Sequence, residues 1–327
     1  MGPRTIIIAV LVALATGTAT YLYRTPAASP PPAPPSGIEN CSAAEPVYNC
    51  LSEIIESTAA ESGPAAALAL LEREVAGDPR FQSLCHSLTH DTGHVAWSLQ
   101  QNIAMAFESA GTKGPTCASG FYHGVIEAAV EEIPKEQILV QVPTICAPFA
   151  AKPQSLDHYN CVHGLGHGLF ALRQDDWRTA LTDCETLSGT WEQESCASGV
   201  FMQNIVNEYE QIGHKSDFRP DDPLYPCTAV AEKWWRPCYI NQSSHVLYAS
   251  GDDFTQVFAA CALAPESIRS VCYQSSGRDV AGRYRTEDDE IVGQCQSAAA
   301  GAKDCIIGAV RDEVYYERGP QAGRALC

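Results

Sequence analysis

The sequence predicts an all-α protein made of about seven disulfide-stapled helical hairpins, stacked into a superhelical or toroidal repeat array behind an N-terminal transmembrane anchor. Two observations favour this fold. The chain has fifteen cysteines, and ten of them form five close pairs, each flanked by helix-like stretches. A helical hairpin this short buries little surface, so a disulfide across its turn would stabilise it by about 2–4 kcal/mol. The predicted pairs are Cys146 with Cys161, Cys184 with Cys196, Cys227 with Cys238, Cys261 with Cys272, and Cys295 with Cys305.

The second cysteines of these pairs recur at positions 161, 196, 238, 272 and 305. Such a loose period is typical of helical-hairpin repeats. Cys85 and Cys117 fit the same series, and the segment CASGFYHG from Cys117 closely matches CASGVFMQ from Cys196. This similarity indicates internal duplication.

Acidic residues precede the first helix of several hairpins, as in Asp175-Asp176, Asp252-Asp253 and Glu287-Asp288. Carboxylates at these positions cap a helix N-terminus and complement its dipole.

Five cysteines have no hairpin partner in this scheme: Cys41, Cys50, Cys85, Cys117 and Cys327. Because the total is odd, at least one thiol is free or pairs with another molecule.

The N-terminal region differs from the rest of the chain. Thr5 to Tyr23 is a nearly uncharged run of nineteen residues, long enough to cross a bilayer and ending in tyrosines that suit its interface. Small residues within the run leave cleavage as a signal peptide open. We therefore predict a membrane anchor or signal sequence over residues 1–24, a Pro-rich linker over 25–40, and a Cys-rich helical-repeat domain over 41–327.

The compartment and the partners follow from the cysteines and the charge. Abundant paired cysteines predict an oxidising location, so the main domain is expected in the periplasm or outside the cell. It would be tethered to the membrane by a signal-anchor helix, or secreted if the segment is cleaved.

The chain has 39 acidic against 21 basic residues, which argues against nucleic acid as a partner. A small molecule or another protein remains open.

Histidines supply the strongest functional pattern. Seven of nine lie between His86 and His167, and two segments read HxxGH, namely His90 to His94 and His163 to His167. On a helix, residues four apart share a face, so each segment can offer two imidazoles to one metal ion. His123 and Glu127, also four apart, lie on the predicted helix between them.

These three helices belong to consecutive hairpins, so their equivalent faces should converge. The predicted ligands are His90, His94, His123, Glu127, His163 and His167. His86 and His158 are predicted to orient the ligand imidazoles by contacting their second nitrogen, without binding the metal themselves. The candidate acids or bases are Asp91, Glu127 and Asp157. Imidazole-rich sites suit Fe, Cu or Zn, and haem is a less favoured cofactor because no CxxCH motif occurs.

Glycine stands three residues after the cysteine in several hairpins, at Gly120, Gly164, Gly199 and Gly308. Glycine costs about 1 kcal/mol in a helix interior, so its recurrence implies a close approach to the backbone. Either a neighbouring helix or a bound ligand can account for it.

Two classes of function are compatible with these features. The first is a metal-dependent oxidoreductase or hydrolase in which a His-bound ion activates dioxygen or water. The second is a non-catalytic scaffold that binds a metal, a haem or a partner protein. In a third reading of the pattern, the histidines only pack within an interaction module.

Overall fold

The structure is a computed structural model and describes residues 37–43, 47–75, 84–117, 119–152, 154–210, 215–285, 287–315 and 319–327. Over these residues it contains fifteen α-helices and no β-strand, with one isolated bridge between Arg219 and Asp222. The prediction of an all-α protein is therefore confirmed. The helices are α1 (Val47–Ser62), α2 (Pro64–Glu74), α3 (Cys85–Gln100), α4 (Ile103–Ser109), α5 (Gly120–Glu132), α6 (Lys135–Gln141), α7 (Leu156–Leu172), α8 (Trp177–Cys184), α9 (Thr190–Glu210), α10 (Trp235–Ala249), α11 (Phe254–Leu263), α12 (Glu266–Arg283), α13 (Asp288–Ser297), α14 (Ala302–Tyr315) and α15 (Gly319–Ala325).

The helices belong to one compact unit, which extends from Gly37 to Cys327. The predicted anchor over residues 1–24 and most of the predicted linker lie outside the described residues. Within the described part of the chain, no helix is both long and apolar enough to span a bilayer.

Seven disulfides staple the helices, and five of them join the cysteine pairs predicted above. Two further disulfides, Cys41–Cys50 and Cys85–Cys117, pair cysteines for which the sequence analysis found no partner. The first joins the short 3-10 helix of Ile38–Ala43 to α1, and the second joins the start of α3 to the loop before α5. Cys327 is the free thiol. The disulfides agree with an oxidising or extracellular environment.

Aspartates cap the N-termini of two short hairpin helices, as the sequence predicts. Asp176 accepts a hydrogen bond from the backbone N–H of Arg178 at the start of α8, and Asp253 accepts one from Thr255 at the start of α11. Each bond satisfies an N–H group that has no partner inside its helix. The acidic residues therefore fix where these helices begin.

The longer helices pack in chain order. Helix α3 lies against α5, α5 against α7, and α7 against α9; α9, α10, α12 and α14 continue the series. The shorter helices α8, α11 and α13 each pack on the long helix that follows them and to which a disulfide joins them. The superhelical or toroidal repeat arrangement stays a prediction.

Glycines allow α3, α5, α7 and α9 to approach closely. A Cβ atom added to Gly93 of α3 would overlap the carbonyl oxygen of Phe121 in α5, and one added to Gly124 would overlap that of His90. Gly166 of α7 and Gly199 of α9 are related in the same way through the carbonyls of Cys196 and His163. A neighbouring helix therefore explains the HxxGH glycines. The short distance between helices also brings the histidine side chains together.

Candidate metal centre

Five histidines from three neighbouring helices converge in the interior. They form two groups of three that could hold a metal ion, and His123 belongs to both groups. Helices α3, α5 and α7 supply the side chains, and the glycine contacts described above hold these helices close. We call the five residues the histidine cluster: His86, His90, His123, His163 and His167.

On α3, His86 and His90 point their Nε2 atoms at each other across 3.1 Å. Their Nδ1 atoms are engaged elsewhere. Nδ1 of His86 lies 2.9 Å from the carbonyl oxygen of Cys117, and Nδ1 of His90 lies 2.9 Å from Oε2 of Glu127. Carbonyl and carboxylate oxygens only accept, so both Nδ1 atoms carry the proton. When both rings are neutral, the two Nε2 atoms therefore present lone pairs to each other.

Helix α7 carries a similar pair, in which only the Nδ1 partner of His167 is a pure acceptor. The Nε2 atoms of His163 and His167 lie 3.2 Å apart. Nδ1 of His167 donates to Oε1 of Gln203, whose own amide group donates to Asn207 and thereby fixes which end of the side chain faces the ring. Nδ1 of His163 lies 3.3 Å from the hydroxyl of Tyr159.

Burial favours the neutral form of four cluster rings, those of His86, His123, His163 and His167. It lowers the pKa of His86 to about 3 and that of His167 to about 4. It also lowers the pKa of His123 and His163 well below the ordinary value, and the neighbouring histidines add to this effect because each charged ring disfavours the next. Neutral imidazole is the form that binds a metal ion.

The spacing of the Nε2 pairs fits metal coordination. Two nitrogens bound to one ion at about 2.0–2.1 Å in a tetrahedral site are about 3.3–3.4 Å apart, and about 2.9 Å apart at a right angle. The observed separations of 3.1 Å and 3.2 Å lie between these values. Both pairs are thus arranged as two ligands of one ion would be.

His123 is the fifth member of the cluster and is close to both pairs. Its ring centroid is 5.4 Å from that of His86 and 4.8 Å from that of His163. The side chain is buried, and neither ring nitrogen has a hydrogen-bond partner among the described residues.

Glu127 supports the cluster from one side. Its Oε2 atom is 2.9 Å from Nδ1 of His90 and 3.4 Å from Nε2 of His94, and its Oε1 atom is 3.6 Å from Nδ1 of His167. Burial alone would raise the pKa of this carboxyl group, but the nearby His90 and the hydrogen bonds from His90 and His94 hold it well below its usual range. Glu127 is therefore a partly buried carboxylate that orients the cluster imidazoles.

A cavity of ≈ 180 Å³ opens onto one face of the cluster. His90, His167 and Glu127 form part of its wall nearest the cluster, and helices α1, α3, α5, α7 and α9 supply the rest. Its remaining lining residues are Tyr48, Ser87, Asp91, His94, Glu131, Ala171, Gln203, Val206 and Asn207. A small polar molecule could thus approach the cluster from outside.

The structure divides the predicted ligands. It places His90, His123, His163 and His167 in the cluster, and His86, predicted as an outer residue, joins them. His94 lies outside both groups, with 41% of its side chain exposed, because it is one turn farther along α3. Glu127 also lies outside them, since its oxygens face the Nδ1 side of the rings.

The other predicted residues lie at different distances from the cluster. Asp91 lines the cavity, where the hydroxyls of Tyr48 and Ser52 both donate to it at 2.8 Å. Asp157 is exposed in the first turn of α7 and does not line the cavity. His158 is buried with its ring 5.1 Å from that of Trp191, on a different side of α7 from His163. The geometry thus offers Asp157 and His158 no contact with the cluster.

Two residues that contact the cluster histidines were not predicted from the sequence. Gln203 holds His167, and Tyr159 contacts His163. Tyr159 precedes its partner by one helical turn, a spacing that could have revealed it. Gln203 lies on α9, and no spacing within the chain connects it to His167.

Comparison with known protein families, with curated proteins and with solved structures finds no match for this chain.

Proposed function

We propose that this protein is an exported metalloenzyme that binds a transition metal through the histidine cluster and activates water for the hydrolysis of a small polar substrate. The observation that carries this proposal is the pair of facing Nε2 atoms on α3 and on α7, at 3.1 Å and 3.2 Å. Two lone pairs that face each other in a buried site repel unless a cation lies between them. Disulfides throughout the fold support export.

The donors favour Zn, Cu or Fe as the metal. All five cluster residues offer imidazole nitrogen, which these ions prefer to the oxygen donors that Ca and Mg require. A haem group is less suitable, because its iron has only two axial positions whereas five imidazoles converge here. The cluster therefore fits bare ions better.

The cavity favours catalysis over simple metal storage. A storage site would enclose its ion with protein ligands, whereas a catalytic site keeps an open position. His90 and His167 both belong to the cluster and line the cavity. A substrate in this space would therefore meet the bound metal directly.

Glu127 and His94 suit the proton transfers that hydrolysis needs. Glu127 is an ionised carboxylate on the cavity wall, where it would accept a proton relayed by a water molecule in the cavity. His94 lies 3.4 Å from it and is partly exposed. Burial alone would lower the pKa of His94, but the hydrogen bond to Glu127 and the charges of Glu127 and Glu131 raise it. His94 could thus pass the proton to solvent.

The test is reconstitution of metal-free protein with Zn²⁺, Cu²⁺ or Fe²⁺, followed by assays with p-nitrophenyl acetate and bis(p-nitrophenyl) phosphate. We expect one metal form to hydrolyse a probe, and Glu127→Gln to reduce its rate by about 10²–10⁴-fold, as loss of a general base does. His163→Ala is the control for hydrolysis without an intact cluster. A metal-loaded parent that hydrolyses neither probe faster than the metal-free parent would contradict a hydrolase.

A further inference from the structure

We infer that the histidine cluster holds two metal ions and that the ring of His123 bridges them as an imidazolate. This inference rests on the proposed metal binding and adds the number of ions and the role of one residue. One ion would lie with His86, His90 and His123, and the other with His163, His167 and His123.

The unpartnered nitrogens of His123 are the first observation. An imidazole ring has two nitrogens that each require a donor, an acceptor or a metal. Both nitrogens of His123 are buried and have no hydrogen-bond partner among the described residues. Leaving a buried polar atom unpaired destabilises the folded state. A single ion would engage one nitrogen and leave the other unpaired, whereas two ions engage both.

The other four cluster residues provide the contrast. His86, His90, His163 and His167 each have a protein partner at Nδ1 and direct Nε2 inward. Each is therefore arranged as a terminal ligand that presents Nε2 to the cluster. His123 alone in the cluster lacks such a partner.

The placement of the rings is the second observation. The ring of His123 is close to both Nε2 pairs, with centroids 5.4 Å and 5.5 Å from His86 and His90, and 4.8 Å and 4.7 Å from His163 and His167. Nitrogens on one ion cannot be farther apart than twice the bond length, about 4.2 Å. The close Nε2 contacts occur within each pair, so each pair fits an ion of its own.

The proton balance follows from the ring chemistry. Neutral His123 carries one N–H proton, and when the second ion binds this proton leaves to solvent and the freed lone pair forms the new metal–nitrogen bond. The four terminal imidazoles keep their Nδ1–H groups. Each ion then has three protein ligands, the number typical of catalytic sites.

The experiment uses Cu²⁺ as a spectroscopic probe on the metal-free full-length chain. Titration followed by elemental analysis should give two Cu²⁺ per chain. Low-temperature electron paramagnetic resonance should show most of the signal lost at full loading, because an imidazolate couples the two spins. His163→Ala should bind one Cu²⁺ with its full signal, and His123→Gln should abolish the coupling.

His245→Ala is the matched control. His245 is also buried and bonded to a carboxylate, Glu208, but it lies on α10 outside the cluster. This variant should behave like the parent. Circular dichroism checks that each variant is folded.

The failures of the two proposals are distinguishable. One Cu²⁺ per chain at saturation, or two with a full uncoupled signal, overturns the bridged pair and leaves metal binding intact. No bound Cu²⁺, Zn²⁺ or Fe²⁺ in the folded parent overturns both.

Discussion

Oε2 of Glu127 lies 2.9 Å from Nδ1 of His90, so the carboxylate fixes the proton on the side of the imidazole that faces away from the cluster. This contact joins α5 to α3 and makes Nε2 the nitrogen of His90 that faces the cluster. Such outer partners commonly matter for metal affinity almost as much as the ligands themselves.

Replacing Glu127 with glutamine should weaken metal binding by about 10–100-fold, the usual effect of losing a carboxylate behind a ligand histidine. The variant keeps the volume and removes the charge. Competition with a chromophoric chelator measures the affinity. Glu131→Gln is the matched control, because Glu131 lines the same cavity on the same helix. Equal affinities for the two variants would show that Glu127 does not support the site.

The metal-free protein should lose stability as the pH falls from about 6.5 toward 3. The pKa of His86 is about 3 in the folded protein and that of His167 about 4, whereas both are about 6.5 in the unfolded chain. The unfolded state therefore binds more protons in this window, which favours unfolding. The low pKa of Glu127 acts in the same direction at the acid end.

Urea unfolding of metal-free protein at several pH values measures this loss. The double variant His86→Asn/His167→Asn should show a smaller decrease in unfolding free energy between pH 6.5 and pH 4. An unchanged slope would mean that these histidines are not neutral in the folded state.

Gly166→Ala should destabilise the fold by about 1–3 kcal/mol, the usual cost of overpacking. The new methyl group would overlap the carbonyl oxygen of Cys196 and push α7 away from α9. Gly293→Ala is the matched control. Gly293 is exposed in α13 with open space around it, so alanine should stabilise that helix by about 0.5–1 kcal/mol. Urea unfolding measures both, and similar free energies for the two variants would refute the close helix contact.

The denatured, non-reduced protein should react with one equivalent of a thiol reagent. Fourteen cysteines form the seven disulfides and Cys327 is free. Cys327→Ser should reduce the count to zero. Three or more thiols per chain would mean that a disulfide described above does not form.

The helices and hairpin disulfides could be predicted because their determinants are local. Asp176 and Asp253 cap helices that begin at the next residue, and Cys184 pairs with a cysteine twelve positions away. Cys85 pairs across 32 residues, and only the folded chain reveals its partner.

The ligand set was harder to predict, because it depends on the register between helices. His86, His90 and His94 occupy successive turns of one stripe on α3, and the sequence pattern favours the last two. The contacts of Gly93 with Phe121 and of Gly124 with His90 set the axial position of α3 against α5. This register brings His86 rather than His94 to the level of His123.

The most direct test of the central claim is a comparison of two histidines from one HxxGH segment. His90→Ala and His94→Ala, each purified from an oxidising compartment, are analysed for metal content by mass spectrometry beside the parent protein. We expect His90→Ala to lose bound metal, because His90 belongs to the histidine cluster, and His94→Ala to retain it. Equal metal content in both variants and the parent would contradict the assignment.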